Sequence, residues 1–191
     1  MSITADLKRC DWTSSDPIYQ RYHDEEWGNP EHDDAALFEL LILEGMQAGL
    51  SWITILKKRE NFRKAFDYFD PRKISKYDQS KLSELMGNDG IIRNRLKLNS
   101  AVINASAFLR IQSEYGSFNS YIWKFVGGSA MKNQWLSVKD IPARSPESDV
   151  MSKKLSEQGF KFVGSTICYS FMQASGMVND HITSCFRYRE L

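Results

Sequence analysis

The chain has 191 residues, 42% of them hydrophobic and 13% aromatic, which is enough apolar material to bury a core and argues against disorder. Its formal net charge of +1 excludes a binder that works through a basic tail, while leaving room for a local basic patch. Three cysteines are too few for a disulfide framework.

In chain order, the first twelve residues, MSITADLKRCDW, read as a short arm with no apolar signal segment. Ser15-Asp16-Pro17 reads as a helix start, with proline tolerated at the first helical position. Ile18, Tyr19, Tyr22 and Trp27 would give this first segment an aromatic face, and Gly28-Asn29-Pro30 a turn after it. Asp33 or Asp34 can cap the next helix, whose positions from Leu37 to Leu43 are apolar nearly all round, as in a central buried helix. Gly45 and Gly49 are expected to loosen the chain before a further helix opens at Trp52. The run from Leu37 to Leu56 is interrupted by Glu39, Glu44 and Gln47, which argues against a membrane span.

After a turn at Asp70-Pro71, residues 81–109 read as a helix, a tight turn over Gly87-Asn88-Asp89-Gly90, and a longer helix. Residues 110–145 are less regular. Ser145-Pro146 opens a helix expected to end at Gly159, and a last buried helix breaks near Gly176. Strand signals are few, and the predicted class is all-α. Cys168 and tryptophans 27, 123 and 135 read as core residues, and His32 as an unpartnered surface residue.

Two cysteine–histidine pairs lie at opposite ends of the chain. His181 and Cys185 are spaced i, i+4, which on a helix places both on one face; Cys10 and His23 are near enough for an arm and one helical turn to bring together. Two sulfurs and two imidazoles make a closed tetrahedral set suited to a structural Zn²⁺. Spacing alone leaves the alternative open: plain core thiols, an exposed His23 and a loop His181. The predicted ion would tie the termini together across a very long loop.

The segment from Leu82 to Arg93 has the layout of a helix-hairpin-helix. Such a turn aims backbone N–H groups at a phosphate without reading any base. Arg93, Arg95 and Lys97 follow it, and Lys57-Lys58-Arg59 with Arg63-Lys64 form another basic run. A Gly-x-x-Gly turn between helices is common and charge runs are usually solvated faces, so these features alone do not decide for nucleic acid.

Together, RCDW (9–12), DPIYQRYHDEEWG (16–28), LEGMQAGLSWITILKKRENF (43–62), GIIRNRLK (90–97), GFKFVGSTICYSFMQASGMVNDH (159–181) and Cys185 resemble the 3-methyladenine DNA glycosylase type I family, in order and over nearly the whole chain. The resemblance implies a helix-hairpin-helix glycosylase fold: one module over residues 1–191, with a terminal lobe of 1–55 plus 146–191 and a hairpin lobe of 56–145. Cys10, His23, His181 and Cys185 match the family's ligands for one structural zinc. Glu44 matches the carboxylate that recognises the alkylated base, Trp12 and Trp52 the stacking aromatics, and Tyr22 and Tyr19 further pocket positions. Gly49 and Leu50 match the segment that fills the gap in the duplex, and Gly87, Gly90 and Arg93 fall on the hairpin that would hold DNA. Met46 departs from the family pattern, in that some members carry a polar residue there.

On this reading the partner is alkylated double-stranded DNA, and the protein is an intracellular, cytoplasmic monomer that releases 3-methyladenine. An extruded base needs aromatic faces above and below it. Asp140 is the only aspartate between Asp89 and Asp149 and its surroundings match no catalytic motif, so no conventional general base is assigned. No lysine invites Schiff-base chemistry, which implies a monofunctional enzyme. Periodicity alone would make Glu44 a salt-bridged edge residue; its matched flanks place it in a pocket. Two rival readings are a zinc-stabilised, non-catalytic module that binds damaged or abasic DNA, and a hydrolase with a catalytic zinc.

Overall fold

A computed structural model describes residues 7–191; the arm predicted over 1–12 therefore lies outside the described residues up to position 6. From Leu7 the chain runs without regular structure into a 3-10 turn, Asp11–Thr13. The first helix, α1 (Pro17–Glu25), starts as expected: Asp16 caps it by accepting from the Ile18 N–H, and Pro17 sits at its first position. Such a cap is worth about 1 kcal/mol.

The second helix, α2 (Asp34–Gln47), is capped by Asp33 and is buried along almost its whole length. It packs against α3 (Trp52–Ala65), α6 (Arg95–Tyr115), α7 (Phe118–Ile122) and α9 (Ser165–Ala174), which is why its sequence is apolar all round. Gly45 does not loosen it. The helix continues through Gly45, where a Cβ would stand 3.4 Å from Phe162, so the glycine is a packing contact inside the protein. Chain direction changes only at Gly49, whose φ of +79° suits glycine and where a side chain would meet nothing within 4 Å.

The short α4 (Pro71–Ile74) and α5 (Gln79–Gly87) lead to the hairpin, with α4 and α5 packed on α6. Here the structure departs from expectation. The second helix does not open on Ile91-Ile92 but at Arg95, capped by Asn94. Ile91 is buried and Ile92 half-buried, so this pair anchors the loop to the core instead. The irregular stretch 110–145 contains the end of α6, all of α7 and a two-residue strand, β1 (Met131–Lys132). β1 pairs in parallel with β2 (Val178–Asn179), the one sheet among the described residues, so the class is helical but for this bridge.

The capping box at Ser145 starts α8 (Pro146–Glu157), and Gly159, with φ +90°, follows its end. After α9, Gly176 is required by space as well as by its φ of +66°: an added Cβ would fall 2.2 Å from the backbone of Asn29. The two ends of the chain meet here. Gly28 N–H donates to Gln173 O and Glu31 N–H to Ser175 O, and the Phe186 N–H donates to Lys8 O. A final turn of helix, α10 (Arg187–Glu190), closes the described chain.

Candidate functional site

Where the ends meet, Cys10, His23, His181 and Cys185 are all buried, and their ligand atoms lie within 4.8 Å of one another. His181 and Cys185 reach the cluster from a turn rather than from the predicted helix, but the turn closes the same separation. Cys185 Sγ is 3.4 Å from His23 Nε2 and 3.5 Å from His181 Nδ1, and Cys10 Sγ is 3.6 Å from His181 Nδ1. Outer partners orient both rings. His23 Nδ1 is 2.8 Å from Asp24 Oδ1, and His181 Nε2 is 3.0 Å from Trp27 O, so each imidazole turns its remaining nitrogen inward. Asp24 is held in turn by a forked contact from Arg9. Burial opposes its charge, but the bonds from Arg9 and His23 prevail and lower its pKa. A hydrogen bond with Cys10 draws the Cys185 thiol down into the thiolate range, against burial, with His181 and His23 adding to the effect. This donor set could hold a metal ion.

Beside it opens a cavity of about 320 Å³. Its walls come from several elements. The turn at 11–13 gives Trp12; α1 gives Tyr19 and Tyr22, three residues apart on one face; α2 gives Glu44 and Gln47; and the first residue of α3 is Trp52. The aromatic rings brace one another at an angle: Trp12 is 4.9 Å from Tyr19, and Tyr22 is 5.6 Å from Trp52. Glu44 is 3% exposed, and its Oε2 has no hydrogen-bond partner. Burial alone pushes its pKa up to about 8. The Tyr22 and Tyr19 hydroxyls are also shifted upward, first by burial and then by the Glu44 charge. Trp52, which also lines the cavity, carries a second buried polar atom with no partner, Nε1. A carboxylate and an indole N–H without protein partners, set among aromatic faces, make a receptor for a flat polar ring.

Two thirds of the wall, ten of its fifteen residues, were not expected from the sequence. Trp27, assigned to the core, is buried but lines the cavity. Its ring packs edge-on to Trp12 and His181, so it separates the cavity from the metal-ligand cluster. From α9 come Thr166, Tyr169, Ser170 and Gln173, and from the loop after β1 come Val138 and the stretch 141–143. The α9 residues recur at i, i+3, i+4 and i+7, a polar stripe on an otherwise apolar helix, and that signal was available in the sequence. Tyr169 and Gln173 are fixed by the buried Asp180, whose carboxylate accepts from both of them and from Asn133 and Trp135. Asp140 does not line the cavity; it is exposed and caps a 3-10 turn by accepting from the Ser137 N–H.

At the hairpin, Gly90 N–H is taken internally by Asn88 Oδ1, and Asp89 O accepts from Lys58 Nζ. Arg93 is exposed. The basic run on α3 is largely spent inside the protein, because Arg59 pairs with Glu26 and Glu39, Arg63 with Glu39 and Glu60, and Lys57 with Asp16. His32 is exposed but not alone: it bonds Asn119 and packs on Trp123. Leu50 is 41% exposed, directly after the turn at Gly49.

The fold and this cavity define a class. Residues 12–188 match the model of the methyladenine glycosylase family, and the chain belongs to that family. Among its relatives is DNA-3-methyladenine glycosylase 1 of Escherichia coli (strain K12), 48% identical over 95% of this chain and 97% of the relative. A crystal structure of a 3-methyladenine DNA glycosylase I superposes with a TM-score of 0.92 at 52% identity, covering 94% of this chain and 98% of the other. A single-residue variant of a 3-methyladenine DNA glycosylase I, solved in complex with 3-methyladenine, gives a TM-score of 0.91 at 37% identity over 93% of this chain and 96% of that one.

Proposed function

We propose that this chain is a DNA-3-methyladenine glycosylase, hydrolysing the N-glycosidic bond of 3-methyladenine in alkylated double-stranded DNA. The observation that carries the reading is Glu44: a buried carboxyl without a partner, in an aromatic cavity roomy enough for a base. An isolated buried carboxylate is costly for folding and is kept where a ligand completes it.

In this reading the lesion is extruded from the duplex into the cavity. Trp12 and Trp52 stack on it, each worth about 1–3 kcal/mol, with Tyr19 and Tyr22 closing the sides. Glu44 accepts hydrogen bonds from the adenine edge. Alkylation at N3 makes the base cationic while it is still attached to the sugar, so its glycosidic bond is already weak. The Glu44 charge complements both that cation and the positive charge that develops on the sugar. A base lacking the matching donors would leave the carboxylate unpaired again, and that is the source of selectivity. Water is the nucleophile and no general base is assigned. The cavity lining contains no lysine, which favours a monofunctional enzyme that leaves the strand intact.

Gly49 and Leu50 fill the gap left by the extruded nucleotide. Leu50's exposure just past α2 supports that role. The helix-hairpin-helix at Gly87, Gly90 and Arg93 holds the phosphate backbone. Because Asn88 occupies the Gly90 N–H, Arg93 carries more of that contact than the sequence layout implied.

The ion is zinc. Sulfur–nitrogen separations of 3.4–3.6 Å are those of a tetrahedron whose centre is about 2.3 Å from sulfur and 2.0–2.1 Å from nitrogen. Four protein ligands leave no open position, so Cys10, His23, His181 and Cys185 hold a structural ion. The lobe of 1–55 with 146–191 carries the ion and most of the cavity, and the lobe of 56–145 presents the hairpin. The enzyme works as a cytoplasmic monomer, and no helix among the described residues is long and apolar enough to cross a membrane.

The test is to incubate the protein with methylated duplex DNA and separate the released bases by chromatography. Free 3-methyladenine well above the spontaneous rate is expected, and release at the spontaneous rate would overturn the assignment.

A further inference from the structure

Lys97, one of the basic residues that follow the hairpin in sequence, is the one lysine that is buried among the described residues, only 6% exposed, and its ammonium is bonded inside the protein. It lies in the first turn of α6, with its own N–H capped by Asn94 and its carbonyl accepting from Ser100 Oγ. Its ammonium reaches away from α6 to the end of α2 and donates to Met46 O at 2.8 Å and to Ala48 O at 2.6 Å. The last carbonyls of a helix have no intrahelical partner and carry the negative end of its dipole, so a cation there is doubly favoured. Immediately afterwards Gly49 turns the chain, Leu50 N–H donates to Gln47 O at 2.6 Å, and the Leu50 side chain projects outward. One ammonium therefore joins the helix that follows the hairpin, four residues after Arg93, to the base of the segment bearing Leu50.

We propose that Lys97 is a positioning residue for DNA opening: it clamps the end of α2 to the first turn of α6, so that the hairpin's grip on the backbone sets the register at which Leu50 enters the duplex. The inference rests on the glycosylase reading for the roles of Leu50 and the hairpin. Lys97 spends its donors on the carbonyls at the end of α2, and Glu44 lies upstream of the clamp, within α2 itself.

The test is a double-mutant cycle of Lys97→Met and Leu50→Ala, read by affinity for a duplex carrying a tetrahydrofuran abasic analogue and by the fluorescence of 2-aminopurine placed opposite it. Lys97→Met is expected to weaken duplex binding roughly tenfold or more and to suppress the 2-aminopurine change, while leaving affinity for free 3-methyladenine within about twofold. In the Leu50→Ala background the same change should cost little, because the two residues act as one unit. An equal loss in both backgrounds, or a parallel loss of free-base binding, would reduce Lys97 to a structural cap and overturn the proposal. If Lys97→Met does not fold, Lys97→Gln, whose uncharged amide stands one bond short of the ammonium's position and so weakens the clamp, carries the same cycle with the same sign of coupling expected. The readouts are binding and fluorescence, so the coupling can be judged even if base release fails and the glycosylase reading with it.

Discussion

The metal-ligand cluster and the Glu44 cavity share a wall, Trp12 and Trp27, and treat polar atoms in opposite ways. In the cluster both imidazoles have outer partners, Asp24 on one side and the Trp27 carbonyl on the other, and the inward atoms face each other. In the cavity Glu44 Oε2 and Trp52 Nε1 have none. Asp180 sharpens the contrast, since it is a buried carboxylate behind the cavity-lining Tyr169 and Gln173, with four donors around it. A fully partnered polar group holds structure together, whereas an unpartnered one costs stability until something binds it. The difference assigns architecture to the first region and recognition to the second.

The largest expected effect tests the architectural side. Structural zinc contributes on the order of 10 kcal/mol in small metal domains, comparable to a whole domain's stability. Cys185→Ser should therefore lose the metal and lower Tm by at least about 10 °C, as read by elemental analysis and calorimetry. Stoichiometric zinc retained in the variant would break the comparison.

The second test inverts the expectation. Glu44→Gln should cost about 10²–10³-fold in kcat/KM for base release yet leave Tm unchanged or higher. The sign follows from the shift. The Glu44 pKa is about 8 in the folded protein and near 4.5 unfolded, so the native state holds the extra proton between those values. Stability is then greatest below the unfolded value, falls as pH rises through that window, and levels off above about pH 8. Glu44→Gln should remove this slope, worth a few kcal/mol, in denaturation curves taken from about pH 5 to 9. The kcat/KM of the wild type should rise toward pH 8 as the carboxylate forms, and that limb should be missing in the variant.

Smaller effects grade the cavity against the outer surface. Trp12→Ala should weaken 3-methyladenine binding by about 1–3 kcal/mol, measured by calorimetric titration, with little loss of metal. Arg93→Ala should weaken duplex binding several-fold and lower the slope of log K against log salt by about one, leaving free-base binding unchanged.

How much of this was legible in the sequence varied with the kind of signal. Helix starts with a side-chain cap, such as Asp16-Pro17, Asp33 and Ser145-Pro146, were readable because the cap is local chemistry. The start of α6 was not. Ile91-Ile92 looks like an apolar helical opening, but tertiary burial takes that pair and Asn94 supplies the cap instead. The metal ligands were visible as pairs, although the i, i+4 spacing of His181 and Cys185 proved to be a turn. Glu44 stood out as a charge in an apolar run, but periodicity alone pointed it outward, and only its matched flanks, or the packing of α2 itself, turn it inward. Trp27 was missed because a buried tryptophan looks like core until the cavity beside it is seen, whereas the polar stripe on α9 was legible as an i, i+3, i+4, i+7 pattern. The basic run on α3 could not be decided from sequence, since its acidic partners Glu26 and Glu39 come from the first two helices and the turn between them.

The central claim is that an unpartnered carboxylate at Glu44 is what the damaged base completes. Titrating 3-methyladenine into the wild type and into Glu44→Gln, with unmodified adenine as the control ligand, tests it most directly. The predicted result is one binding site in the wild type that discriminates against adenine, and a loss of that affinity in a variant still folded and metal-bound. Equal affinity for 3-methyladenine in both proteins would contradict it.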